Sequence, residues 1–162
     1  MDARHSAPST AELRKEASTM ALYVAICLLA ALIALPDSTH AHVVRVIWGV
    51  TVGLALAHWF AFRLSARLVG AGTISAHDLA SVSAQLTGAA GVALLATGAV
   101  LLVPETAELE VAEFLLAAFI AVTGFTVARG AGAGRSRALL YAATVLLIAV
   151  AIAVVKNVLA GH

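Results

Sequence analysis

Residues 79–103 of the chain read LASVSAQLTGAAGVALLATGAVLLV and contain no charged side chain. The segment follows Asp78 and stops at Pro104, a residue that disfavours continuation of a helix. Because each helical residue rises about 1.5 Å, this segment is long enough to cross the ~30 Å hydrocarbon core of a membrane. It therefore predicts a transmembrane helix.

Four further apolar blocks are similar in length and are also rich in Ala and Leu, which are good helix formers. None of them shows the alternation that is typical of a membrane β-strand. We therefore predict an all-α polytopic integral membrane protein, a bundle of five transmembrane helices. An N-terminal cytoplasmic segment, residues 1–16, would precede a single membrane domain, residues 17–160. The expected spans are residues 17–35, 43–62, 79–103, 111–128 and 138–155.

The composition of the whole chain agrees with this prediction. Of the 162 residues, 62% are hydrophobic and 12% are charged, and the mean hydropathy is +0.99. Soluble domains have roughly 45–50% apolar and about 25% charged residues. The net charge is +1 and Cys27 is the single cysteine, which gives no sign of a nucleic-acid-binding or disulfide-rich protein. The expected partner is the lipid bilayer, and nucleic acid is not expected.

The basic residues predict the orientation, because cytoplasmic connections of membrane proteins retain Lys and Arg. Eight basic residues fall on one side of the predicted bundle and two on the other. The first group is Arg4, Arg14, Lys15, Arg63, Arg67, Arg129, Arg135 and Arg137, and the second is Arg45 and Lys156. The N-terminus is therefore predicted to be cytoplasmic and, after five crossings, the C-terminus to be outside.

Several local signals mark the ends of the predicted helices. Ser9 and Glu12 have the spacing of a capping box, and Glu105 and Glu108 suit the positive N-terminal end of the fourth helix. The glycines of the segment 130–134 predict a turn before the fifth helix.

Polar residues inside the spans predict an inner polar layer. His58 would lie ~22 Å below the outer boundary and Gln85 ~9 Å above the inner boundary, which is nearly the same depth. Thr126, Thr144 and Tyr23 fall close to this level. In one interpretation His58 relays protons or binds a substrate; in the other it holds the bundle together through an interhelical hydrogen bond.

A second set of polar residues is expected near the outer boundary. Arg45 and Glu113 each lie two residues inside a predicted span, so we expect Arg45 to pair with Glu113 or with Glu110, and Lys156 can reach the same level. These side chains form either an outer cation or proton site, together with the histidines of 40–42, or a structural girdle of salt bridges. The H-x-H spacing of 40–42 is a weak metal signal, and no metal site is predicted.

Small residues recur at three- and four-residue spacing on two of the predicted helices. This spacing predicts close approach of helix backbones. The residues are Ala84, Gly88 and Gly91 on the third helix and Ala117, Ala121 and Gly124 on the fourth.

No catalytic motif is found, so no catalytic residue and no cofactor are predicted, and an enzyme is the less favoured interpretation. The favoured function is a small transporter, channel or proton-conducting unit with its polar layer around His58 and Gln85. The alternatives are an accessory subunit that packs against other membrane proteins and a pH-responsive membrane sensor. A homo-oligomer or a complex with another membrane protein is compatible with each of them.

Overall fold

The computed structural model describes residues 9–35, 39–69 and 76–160, without the side chains of residues 66, 68, 69, 152, 153, 156, 157 and 160. Over these residues the protein is a bundle of helices, as the sequence predicts. The five helices are α1 (Thr10–Ile33), α2 (His40–Val69), α3 (Ala76–Leu102), α4 (Glu108–Gly130) and α5 (Arg135–Ala160).

The helices begin before the apolar blocks that predict them. Helices α2 to α5 begin at residues 40, 76, 108 and 135, each three residues ahead of the expected starts at 43, 79, 111 and 138. The added residues are mostly polar: HAH, AHD, ELE and RSR open the four helices. The first N–H groups of a helix have no partner within the helix, so a polar first turn in contact with water or headgroups is favourable. The hydropathy of the sequence detects only the apolar segment that follows the polar first turn of each helix.

Helix α1 begins even earlier, at Thr10 rather than at residue 17. The Oγ of Ser9 accepts a hydrogen bond from the backbone N–H of Glu12 at 3.2 Å, which confirms the predicted N-cap. The predicted glycine turn between α4 and α5 is also confirmed, because Gly132 has a φ of 83°, a left-handed conformation that suits glycine. Residues 10–16 therefore belong to the bundle and not to a separate segment.

Helix α1 is the centre of the bundle and contacts each of the other four helices. Helix α2 packs against α1 and α3, while α5 packs against α4 and α1. The core contains mainly aliphatic side chains from α1, α3 and α4, joined by the first turns of α2. This arrangement lets polar residues of α1, α2 and α3 meet on one side of the bundle.

The two ends of the bundle are packed differently. We call the end at which α1 and α3 finish and α2 and α4 begin the Glu108 end, and the opposite one the Glu16 end. Large buried side chains such as Leu32, Ile47 and Leu116 lie toward the Glu108 end. Toward the Glu16 end, polar side chains of three helices line an open cavity.

Large apolar side chains are exposed on all five helices. Water-soluble proteins rarely expose contiguous apolar surface of this extent. Among the described residues, four helices are long and apolar enough to cross a membrane: α1, α3 and α4 over their whole length and α2 from His40 to Ser65. Examples of exposed residues are Ile33, Leu56, Phe60, Leu94, Leu101, Phe114, Val122, Leu140 and Leu147.

Candidate functional site

Polar side chains of three helices meet in one cavity near the Glu16 end. The cavity has a volume of about 300 Å³ and opens to the surface of the bundle. Helix α1 contributes most of its wall, and α2 and α3 contribute one residue each. We call it the Glu16 cavity; its lining residues are Glu16, Thr19, Met20, Tyr23, His58 and Gln85.

A short hydrogen bond joins the carboxylate and the amide in this cavity. The Nε2 of Gln85 donates to the Oε2 of Glu16 at 2.6 Å, and both side chains are half-buried. The Oε1 of Gln85 is buried and accepts no hydrogen bond from any described residue. Hydrogen bonds to an ionised carboxylate are stronger than neutral ones, so this bond fixes the Glu16 side chain against α3.

The backbones of α1 and α3 approach closely one turn away from this bond. A Cβ atom on Gly88 would overlap the carbonyl oxygen of Ala17 and would lie 2.9 Å from its carbonyl carbon. Glycine is therefore required at this crossing, which brings Glu16 within reach of Gln85. The predicted close approach is confirmed at Gly88. It is also found at Gly124, where a Cβ would lie 3.4 Å from the Cα of Ala142 on α5, whereas Gly91 has open space beside it.

His58 and Tyr23 form the open side of the cavity. Both side chains are exposed, and Tyr23 keeps 52% of its accessible surface. The sequence placed His58 in the interior beside Gln85; the structure places both residues at one cavity but leaves the imidazole at its mouth. The reason lies in α2, because none of its described side chains beyond Thr51 is buried. Helix α2 packs tightly at its start and loosely where His58 lies.

The structure does not bring Thr126 and Thr144 to this cavity, contrary to the expected polar layer. The Thr126 hydroxyl donates to the carbonyl of Thr123, and the Thr144 hydroxyl donates to the carbonyl of Leu140, each at 2.9 Å. Both threonines are exposed. A hydroxyl that is satisfied by its own helix has no need of an interhelical partner, so depth alone did not determine which way these side chains face.

The polar contact at the Glu108 end differs from the expected one. The Nδ1 of His40 contacts the Oε2 of Glu108, which joins the first turns of α2 and α4. The Glu108 side chain is only 1% exposed, and no described residue other than His40 is recorded as a partner of its carboxylate. A buried carboxylate without a partner would be costly, so this contact ties the two helices together.

The expected pair between Arg45 and Glu113 or Glu110 is not formed among the described residues. The Nε of Arg45 instead donates to the backbone carbonyl of Ala41 at 2.9 Å. Because α2 buries the stripe of Val43 and Ile47, Arg45 lies about 200° around the helix from both and is exposed.

The remaining residues of the expected outer set show no common site. Glu110 is exposed and Glu113 is half-buried on α4. The side chain of Lys156 lies outside the described residues. The contact that joins α2 and α4 at this end is formed by His40 and Glu108, the first residues of the two helices.

Sequence reasoning missed Glu16 as a site residue because it placed residues 1–16 outside the bundle. The signal that could have found it was present. The capping box of Ser9 and Glu12 starts the helix before Glu16, and a helix from residue 10 puts Glu16, Met20 and Tyr23 on one stripe.

The described residues contain no group of three His, Cys, Asp or Glu side chains that could hold a metal ion. Comparison with protein families, with curated proteins and with solved structures finds no match to this chain.

Proposed function

We propose that this protein is an integral membrane protein with five crossings, a cytoplasmic N-terminus and an external C-terminus. The apolar surface around the bundle and the length of its helices support the insertion. The eight-to-two distribution of basic residues supports the orientation. The Glu16 end then faces the cytoplasm and the Glu108 end faces outward.

We infer that the Glu16 cavity is the proton- or cation-binding site of a small transporter, channel or proton-conducting unit. The observation that carries this proposal is the convergence of Glu16, Tyr23, His58 and Gln85 from three helices on one open cavity. Ionisable side chains within membrane spans are costly, and those that occur commonly mark ion or proton pathways.

The geometry gives each of these groups a distinct role. Gln85 donates a hydrogen bond to the Oε2 of Glu16, so Oε1 is the carboxylate oxygen that is available to a proton or a cation. The imidazole of His58 lies at the mouth, where its ring nitrogens offer a hydrogen-bond donor and an acceptor to a ligand in the cavity. Tyr23 adds a phenolic hydroxyl and an aromatic face to the same wall.

Proton flux into liposomes tests this proposal. The purified chain is reconstituted with a pH-sensitive dye inside, and a membrane potential is applied to drive protons inward. We expect the wild type to acidify the lumen and the Glu16→Gln variant to fall to the rate of protein-free liposomes, since an amide cannot carry a proton. Glu110→Gln is the matched control, because it removes the same charge from an exposed position at the other end of the bundle.

The His58→Gln variant separates a proton-carrying role from a structural one. Glutamine keeps a donor and an acceptor but does not titrate. If His58 passes protons, flux falls while the protein remains folded. Equal flux in wild type and Glu16→Gln, or wild-type flux no greater than that of empty liposomes, contradicts a proton-conducting role for the Glu16 cavity.

A second function, that of an accessory subunit, is supported by α2. Its second half exposes Leu56, Phe60 and Leu64 and buries no described side chain, so this face is available to another membrane protein. Cross-linking from cysteines placed at Leu56 in native membranes, compared with cysteines at Leu94 on α3, distinguishes a specific neighbour from random lipid-facing collisions. Adducts of the same size and yield from both positions count against this function.

A further inference from the structure

A second depression lies on the surface of α2 and shares no lining residue with the Glu16 cavity. It has a volume of about 190 Å³ and is formed by side chains of α2 alone. We call it the Trp59 groove; its lining residues are Trp59, Phe60, Arg63, Leu64 and Arg67.

The spacing of these residues gives the groove two chemically different rows. Trp59, Arg63 and Arg67 recur every four residues and therefore follow one another along a single face of the helix. Phe60 and Leu64 form the adjacent apolar row and are 68% and 50% exposed. The groove is therefore cationic toward the C-terminal end of α2 and apolar toward the middle of that helix.

The two arginines are available to an anion. Both are exposed, and no ion pair between either of them and a described carboxylate is recorded. The Cζ of Arg63 lies 5.3 Å from the centre of the Trp59 ring, a cation–π contact that holds the guanidinium at the rim of the groove. Guanidinium groups offer planar pairs of N–H donors that match the oxygens of a phosphate.

We propose that the Trp59 groove binds an anionic phospholipid, with its phosphate on Arg63 and Arg67 and its acyl chain along Phe60 and Leu64. A free phosphate ion would use the arginines but not the apolar row, which is why a lipid is the better match. The proposal rests on the membrane insertion proposed above and is independent of proton transport. In that orientation the arginines reach the cytoplasmic headgroup region, where anionic lipids are concentrated.

Fluorescence of Trp59 tests this site directly. The chain has two tryptophans, so Trp48→Phe leaves Trp59 as the sole indole. This variant is reconstituted with phosphatidylglycerol or phosphatidylcholine that carries bromine on the acyl chain, which quenches a nearby indole. We expect phosphatidylglycerol to quench at lower mole fraction than phosphatidylcholine, by roughly five-fold for each arginine near the surface.

Substitution of the arginines provides the decisive comparison. Arg63→Gln/Arg67→Gln in the same background should make the two lipids quench equally. Arg135→Gln/Arg137→Gln is the matched control, because it removes the same charge from exposed residues at the same end of the bundle. It should leave the preference for phosphatidylglycerol unchanged. Native mass spectrometry of lipid retained by each variant gives a readout that does not depend on fluorescence.

Two outcomes overturn the proposal. The first is equal quenching by both lipids in the parent protein, or a preference that survives loss of both arginines. The second is displacement of phosphatidylglycerol by an equimolar amount of inorganic phosphate, which would show that the groove recognises the anion alone. Neither outcome affects the proton-flux experiment, so failure of this site and failure of the transport proposal are distinguishable.

Discussion

Two carboxylates, Glu16 and Glu108, lie near opposite ends of the bundle in different surroundings. Glu108 is buried, and its carboxylate contacts the imidazole of His40. Glu16 is half-buried, is held at one oxygen by Gln85, and borders an open cavity. Burial and pairing favour a structural role for Glu108, whereas access favours a binding role for Glu16.

The contact between His40 and Glu108 should be important for stability. His40→Ala leaves the Glu108 carboxylate buried without its partner and should cost about 1–3 kcal/mol of unfolding free energy. Thermal unfolding in detergent of His40→Ala, Glu108→Gln and the double variant measures the coupling. His42→Ala, at an exposed position two residues away, is the control and should change stability little. Additive losses would mean that the two side chains do not interact.

The hydrogen bond between Gln85 and Glu16 should also contribute to stability. Gln85→Leu removes the donor, and we expect a loss of about 1–2 kcal/mol, because the bond involves a carboxylate but is only half-buried. Thr87→Ala is the control, since Thr87 is exposed and its hydroxyl donates to the carbonyl of Ser83 on its own helix. Combination with Glu16→Ala should be non-additive in the same thermal assay. A Gln85→Leu protein as stable as the control would contradict this assignment.

At this scale, the convergence of three residues on one cavity was predictable from helix rise, whereas the direction of other polar side chains was not. The fixed rise of a helix placed His58, Gln85 and Tyr23 at one level, and they line one cavity. Direction depends on which face each helix buries, and that is decided by neighbours far away in sequence. Arg45 and Thr126 illustrate this, since each is satisfied by a backbone carbonyl of its own helix and faces outward.

Among the helices, α1 and α3 cross closely at Gly88, and this glycine determines how near their backbones come. The number and approximate position of the five helices were predictable because each helix contains a long apolar block. The first residues of the helices were not predictable from hydropathy, since polar first turns carry no hydropathy signal. For α1, the N-cap residue Ser9 indicated the start of the helix better than hydropathy did. The crossing itself was only partly predictable, because Gly88 and Gly91 belong to the same small-residue pattern but only Gly88 has a backbone against it.

Substitution of these two glycines distinguishes their roles. Gly88→Ala must push α1 and α3 apart, and we expect it to lose about 1–3 kcal/mol by overpacking, together with the bond between Glu16 and Gln85. Gly91→Ala meets nothing within 4 Å and should be neutral or stabilising by up to about 1 kcal/mol through better helix propensity. Thermal unfolding of both variants in the same detergent provides the comparison. Equal effects would mean that the crossing at Ala17 is not close.

The whole molecule combines an apolar surface with two unlike ends. Large aliphatic side chains and the pair of His40 and Glu108 lie toward one end, while the Glu16 cavity and the Trp59 groove lie toward the other. A bundle with its cavity and groove toward one end suits a protein that binds small ligands from one side of a membrane. Which side that is depends on the topology, so the topology is the most important property to measure.

Cysteine accessibility tests the topology, including the crossing by α5. With Cys27 replaced by serine, single cysteines are placed at Thr10, Thr106, Ala131 and Leu159, all exposed positions outside or at the ends of the apolar blocks. Intact cells are treated with a membrane-impermeant maleimide. Positions 106 and 159 should react, whereas positions 10 and 131 should react only after permeabilisation, because the basic residues keep their side of the bundle in the cytoplasm.

The pair of positions 131 and 159 carries the most information. They flank α5, whose 26 residues are ample for a crossing. Opposite reactivity means that α5 crosses and that the C-terminus is external. Equal reactivity means that α5 lies on one side, which leaves four crossings and both ends of the chain in the cytoplasm. In that case Arg135 and Arg137 would still face the cytoplasm, so the Glu16 cavity would keep its predicted side and only the fifth span would be wrong.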